Sequence, residues 1–308
     1  MYKTSFARPL LILVFCILVT ITGCGSQKDG GSDQEPPVIS PPRVLVPEAP
    51  GEKVLGTSPL TLDISRTDQG YFVARAEAGS RRINIQMCAP DGVLYSYFVE
   101  PGEDAVLPFS GGSGNYLVTC YQQVSGSQYA ALCSESLDVS LENEFLPYIY
   151  PNQYVDFSPE SEVSRQALSM LEDDATDIQA LDAIYTFVTE RVTYDTEKAR
   201  TIEAGYLPDV DETLECGTGI CFDYAALTAA MLRSRDIPCK LQIGYAGDIK
   251  HAWIDVYIRS KGWVEKAVVF DGETWTRMDP TFDSSSDDKE QIQSYIGDGD
   301  NYTVQFTR

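Results

Sequence analysis

The stretch GTGICFDYAALTAAMLRSRDIPCKLQIGY, residues 217–245, decides the fold. Its middle, CFDYAALTAAMLRS from Cys221 to Ser234, is apolar nearly all round a 3.6-residue turn, which predicts a helix buried on every side. Gly217 and Gly219 precede it, and glycines there let the backbone turn tightly so that the Cys221 sulfur faces a cleft. A thiol at a helix start lies among free N–H groups at the positive end of the helix dipole. The sequence therefore predicts a lowered Cys221 pKa and a ready thiolate.

Outward from this helix the pattern is helical on one side and strand-like on the other. Ser158 reads as an N-cap with Pro159 at the first helical position, followed by a stripe of Val163, Ala167, Met170 and Leu171. A second helix follows Asp177, with Ile178, Leu181, Ile184, Tyr185 and Val188 on one face. Downstream, KLQIGY, HAWIDVYI, EKAVVF and TWTRMD read as strands. Helices followed by an antiparallel sheet predict an α+β domain over residues 159–308. His251, the chain's single histidine, opens one of these strands and Asp279 ends another. Neighbouring strands can thus present both groups to Cys221: a thiol nucleophile, an imidazole to take its proton, and a carboxylate to fix the tautomer. Asp283 is a rival for the carboxylate.

Residues 62–142 change to short runs rich in Val, Ile, Tyr and Phe between Gly, Pro, Asp and Ser, which predict a small all-β sandwich of about seven strands. Residues 143–158 then link it to the α+β domain. Gly126 and Ser127 read as a two-residue hairpin loop. Counting outward from Ser125 opposite Gln128 puts Cys120 opposite Cys133, adjacent as a thiol pair or a disulfide. With Cys221 reserved as nucleophile and Cys24 set aside, Cys88, Cys120, Cys133, Cys216 and Cys239 remain, an odd number that excludes a complete disulfide set. One histidine and scattered thiols give no metal site, and no cofactor motif is present, so neither is expected.

Lys3 and Arg8 precede an apolar run from Pro9 to Ile21, too short for a membrane span, which marks residues 1–23 as a secretion signal. Ile21, Thr22, Gly23 and Cys24 resemble the lipobox of bacterial lipoproteins, which implies that Cys24 carries a diacylglyceryl group and becomes the N-terminus. The expected location is extracytoplasmic and membrane-anchored, at the cell surface. Residues 25–60 hold seven of the 17 prolines without periodicity, so residues 24–61 read as a lipidated cysteine and tether, roughly 110 Å long if extended. The chain's formal charge is −23, and losing Lys3 and Arg8 makes it −25, a field that opposes nucleic acid as a partner.

The Cys221 segment, HAW at 251–253 and MDPTFD at 278–283 together resemble the transglutaminase-like superfamily of papain-like thiol enzymes. The resemblance covers about residues 160–285. It implies Cys221 as nucleophile, His251 as imidazole, Asp279 as carboxylate, and Tyr194 and Asp195 in VTYD as a run of the core. It implies a protein or peptide substrate and acyl transfer from an amide through a Cys thioester to an amine or water. A cysteine protease or amidase acting on surface or wall peptides, and a non-enzymatic binding module, are the alternatives. Papain-like proteases carry a Gln six residues before the nucleophile, where this chain has Glu215. The Cys221 N–H can serve as one oxyanion donor, and the second is unassigned.

Overall fold

The computed structural model describes residues 34–203, 205–246, 248–270, 275–276 and 302–308. They belong to one compact unit, Gln34–Arg308.

Its first half is the sandwich. Strands β1 (Val54–Leu55), β2 (Leu60–Asp63), β3 (Tyr71–Ala76), β4 (Ile83–Cys88), β5 (Leu94–Val99), β6 (Asp104–Pro108), β7 (Gly114–Ser125) and β8 (Gln128–Val139) form two antiparallel sheets. Their orders are β1-β2-β3-β6 and β5-β4-β7-β8. Ile83, Ile85 and Met87 point into the shared core with Phe72, Leu107, Tyr116 and Val118, as the two-residue alternation requires. The other face of β4 is not uniformly wet, because Asn84 is buried and donates to Ser96 Oγ at 2.8 Å.

The β7/β8 hairpin pairs Ser125 with Gln128 and Cys120 with Cys133, yet the ladder between them is not straight. Val124 bulges out of β7 and Leu132 out of β8, so the intervening pairs run one residue out of step until the second bulge restores the count. All six described cysteines are free thiols.

The described part of the expected tether lies along the body instead of hanging free. The Ile39 N–H donates to Asp236 Oδ2 (2.9 Å), the Glu48 N–H to Tyr71 Oη (2.7 Å) and the Gly51 N–H to Asp63 Oδ2 (2.6 Å), while Val44 is buried in the helical core. Proline removes donors, but the N–H groups between prolines are met by side chains far along the sequence.

The second half contains α1 (Glu162–Ser169), α2 (Asp177–Arg191), β9 (Thr193–Tyr194), α3 (Thr196–Thr201), α4 (Val210–Cys216), β10 (Thr218–Gly219) and α5 (Cys221–Arg233). Strands β11 (Cys239–Ala246), β12 (Ile249–Ile258), β13 (Gly262–Phe270), β14 (Trp275–Thr276) and β15 (Tyr302–Thr307) follow. The first helix begins at Glu162, later than the Ser158-Pro159 signal, because a Ser158–Ser161 turn uses those residues: the Ser158 N–H donates to Ser161 Oγ at 3.0 Å. The second starts at Asp177 behind a Thr176–Gln179 capping box. The sheet order is β14-β13-β12-β11-β15, antiparallel throughout. One face, with Leu241, Ala252, Ile254, Val256 and Ile258, packs on α5, whose residues from Asp223 to Arg233 are all buried.

Two arginines join the halves. Arg233, fully buried, donates to the carbonyls of Cys239, Tyr150 and Arg308. Arg308 lays its guanidinium 4.5 Å from the ring centres of Tyr95, Tyr97 and Tyr154 and donates to Tyr97 Oη at 3.0 Å.

Candidate active site

The loop that delivers Cys221 is held by a two-residue parallel ladder. Thr193 pairs with Thr218 and Tyr194 with Gly219, and the Asp195 N–H donates to the Gly219 carbonyl at 2.9 Å. The VTYD run thus splints the approach to the helix. Gly217 ends α4 in the left-handed region at φ 67°, where a side chain would be strained and would strike Arg191. Gly219 has ordinary backbone angles and is required for space: a Cβ there would lie 2.8 Å from Asp223 Cβ.

Cys221 is the first residue of α5 and half-buried. Burial pushes its thiol up; the backbone N–H groups at Ala252, Phe222 and Cys221 pull it down, and the Asp223 carboxylate pushes it up again. Burial wins. The expectation of a lowered pKa is therefore corrected: the donors expected at a helix start are there, but desolvation outweighs them and the resting group is a thiol.

His251 lies on β12 and is only 8% exposed, which makes burial the deciding influence on its charge. Burial pushes it from 6.5 down to about 4, so the ring is neutral near pH 7. It stacks beside Trp253 (6.3 Å between ring centres) and meets Tyr302 edge-on (6.2 Å). Its Nε2 has no hydrogen-bond partner among the described residues. The structure brings the sulfur to the main chain one residue past His251, not to the ring itself, and both groups rest uncharged. Asp279, its rival Asp283, and Cys24 lie outside the described residues.

Glu215 is exposed on α4, and the acid that meets the thiol is Asp223. Asp223 is wholly buried in the first turn of α5 and pairs with Lys198 Nζ at 2.8 Å. Tyr206 donates to its other oxygen at 2.5 Å, and Lys198 donates to Tyr206 Oη at 2.7 Å. Burial opposes the Lys198 charge, but Asp223 and Tyr206 hold it above its usual range. Tyr194 also faces the site, its phenol pushed up by burial and then by Cys221 and Asp223. Sequence reading missed Asp223 and its partners. The available signal was an acid at the third position of a helix, where it caps the free N–H groups.

Residues 165–280 match the family described as the transglutaminase-like superfamily. No curated protein matches the sequence. Among solved structures, a protein of Cytophaga hutchinsonii assigned as a cysteine protease is 13% identical, with a TM-score of 0.37 over 83% of this chain and 73% of that one. A Parabacteroides distasonis protein assigned as a protease is 12% identical, with a TM-score of 0.30 over 59% of this chain and 37% of that one. Red sea bream transglutaminase is 12% identical, with a TM-score of 0.31 over 67% of this chain and 49% of that one. The chain thus spans less than half the length of the last two.

Proposed function

We propose that this chain, whose residues 165–280 belong to the transglutaminase-like superfamily, is a thiol enzyme that transfers acyl groups from a protein or peptide amide. The observation that carries the reading is the Cys221 thiol at the start of a buried helix, close to the backbone of Phe222 and of Ala252, the residue that follows the neutral His251 on β12.

Because both groups rest uncharged, the reaction starts by general-base catalysis and not from a preformed ion pair. The sulfur attacks the amide carbon as its proton passes to His251, and Asp279 orients and stabilises the resulting imidazolium. The carbonyl oxygen gains the negative charge, and the N–H groups that hold the sulfur are the donors at hand to accept it. The imidazolium then gives its proton to the departing amine, leaving a thioester on Cys221. An incoming amine or water, deprotonated by His251, releases the acyl group. Transfer to water is the protease or amidase outcome, and transfer to an amine is crosslinking. Residues 1–23 direct export and lipid on Cys24 fixes the protein to the membrane, so the substrate is a surface or wall peptide.

The test is a thiol-directed acyl probe followed by mass spectrometry, then turnover of a glutamine-containing peptide with and without a primary amine. Modification confined to Cys221 and lost in Cys221→Ala supports the enzyme. Failure of Cys221 to be acylated assigns the scaffold to binding alone. Intact mass of the membrane fraction reads the lipid on Cys24, and release of Cys24→Ala into the soluble fraction checks it.

A further inference from the structure

A buried carboxylate two residues from a nucleophile is unfavourable unless something answers its charge, since it repels the thiolate that must form. Asp223 is that carboxylate. Its Oδ2 accepts from the Ile220 N–H at 2.8 Å and from Lys198 Nζ at 2.8 Å, and its Oδ1 accepts from Tyr206. Gly219 leaves the space for it, since a Cβ there would stand 3.2 Å from Oδ2. Lys198 comes from α3, whose N-cap is Asp195, the residue after Tyr194. One short segment therefore splints the nucleophile loop and also supplies the cation. Tyr206 lies edge-on to Phe222, 6.3 Å between ring centres. Among the described residues, the groups that face the thiol are Tyr194 from β9, Asp223 from α5 and the Ala252 backbone of β12.

We propose that Asp223 is a positioning residue for Cys221, fixing the Gly219–Ile220 peptide that leads into the nucleophile, while Lys198 and Tyr206 clamp it and cancel its charge. The proposal rests on the reading of Cys221 as the nucleophile. It assigns the Lys198–Tyr206 pair to the reactivity of the thiol and not only to the stability of the loop.

The rate of Cys221 alkylation by iodoacetamide on the full chain, followed across pH by peptide mass spectrometry, needs no substrate. Lys198→Met should slow alkylation at pH 7 by about three- to tenfold and leave the high-pH rate within about twofold, because only the charge opposing the thiolate has changed. Asp223→Asn keeps an oxygen for the Ile220 N–H and should raise the pH 7 rate. The double variant should return to within about twofold of the parent. Tyr206→Phe should slow the reaction less than Lys198→Met does. An unchanged profile in Lys198→Met, or an equal slowing at every pH, overturns the proposal. Should that variant unfold, seen as alkylation of buried Cys239, then Asp223→Asn decides: an unchanged or lower rate at pH 7 overturns it. Failure of the acyl probe to modify parent Cys221 would instead remove the nucleophile reading, and this proposal with it.

Discussion

Cys120 in the sandwich and Cys221 in the α+β half are both thiols drawn into the body, and burial pushes both up. At Cys120 nothing offsets it, and the neighbouring Cys133 pushes the same way. At Cys221 three N–H groups work against it. The cause lies in the backbone. Cys120 sits mid-strand, paired with Ile85 on one side and Cys133 on the other, so its neighbourhood has no free donors. A helix start leaves its first N–H groups without partners, and Cys221 occupies that place. Cys239, on β11, behaves like Cys120: burial drives it up to about 12, Arg233 pulls against it and Asp255 pushes the same way as burial. Burial alone leaves a thiol inert; secondary structure with donors left over works against it.

The largest expected effects separate the two thiols by substitution. Cys221→Ala should reduce acyl transfer to the background rate, and His251→Ala should lower it by roughly 10²–10⁴-fold. Cys120→Ala should leave turnover within about twofold and cost about 1 kcal/mol in urea unfolding. Turnover assays and denaturation curves on the same preparations read both.

Native-state alkylation separates the buried thiols from Cys221. Cys221 should react while Cys120 and Cys239 stay protected until denaturant is added, and early modification of Cys120 would show that burial does not govern it.

Next in size is the acid limb of stability. The folded His251 value of about 4 lies below its unfolded value of 6.5, so its contribution is complete above about pH 6.5 and is lost as pH falls toward 4. That interval corresponds to about 3 kcal/mol. Urea midpoints between pH 7.5 and 4 should fall in the parent and fall less in His251→Gln.

The smallest effect belongs to the hairpin. Mild oxidation should join Cys120 to Cys133, seen as a linked peptide two hydrogens lighter, with turnover unchanged. Deleting Val124 alone should abolish that link, because the Leu132 bulge would no longer be compensated.

The alternating strands of the sandwich and the buried helix behind Cys221 were legible because periodicity reports burial directly. Fold class followed from it; Cys221 and His251 stood out by motif, and His251 lies two residues inside β12 instead of opening it. The Cys120–Cys133 pairing was counted along a straight ladder, and two cancelling bulges make the same count come out by another route. The docking of residues 34–61 was hidden because a hydropathy pattern carries no trace of an Ile39 N–H met by Asp236, 197 residues away. The clamp on Asp223 was hidden for the same reason: Lys198 and Tyr206 reach it across a fold, and their spacing in sequence has no period. The charge state of Cys221 was misjudged because donors can be read from a helix start, whereas desolvation depends on what packs over it.

Strand β15 carries a consequence for timing. In the sandwich, β4 pairs with β5 and β7 with β8 across short turns, so those contacts close as soon as each hairpin is complete. In the α+β half, β11 must wait for β15 to pair along its outer edge, and the Arg308 side chain settles against Tyr97, 211 residues earlier. During synthesis at about 5–20 residues per second, the sandwich can assemble while the sheet beneath the nucleophile is still missing a strand. The half that carries Cys221 is thus the last to close, and it closes around a residue made long after that thiol.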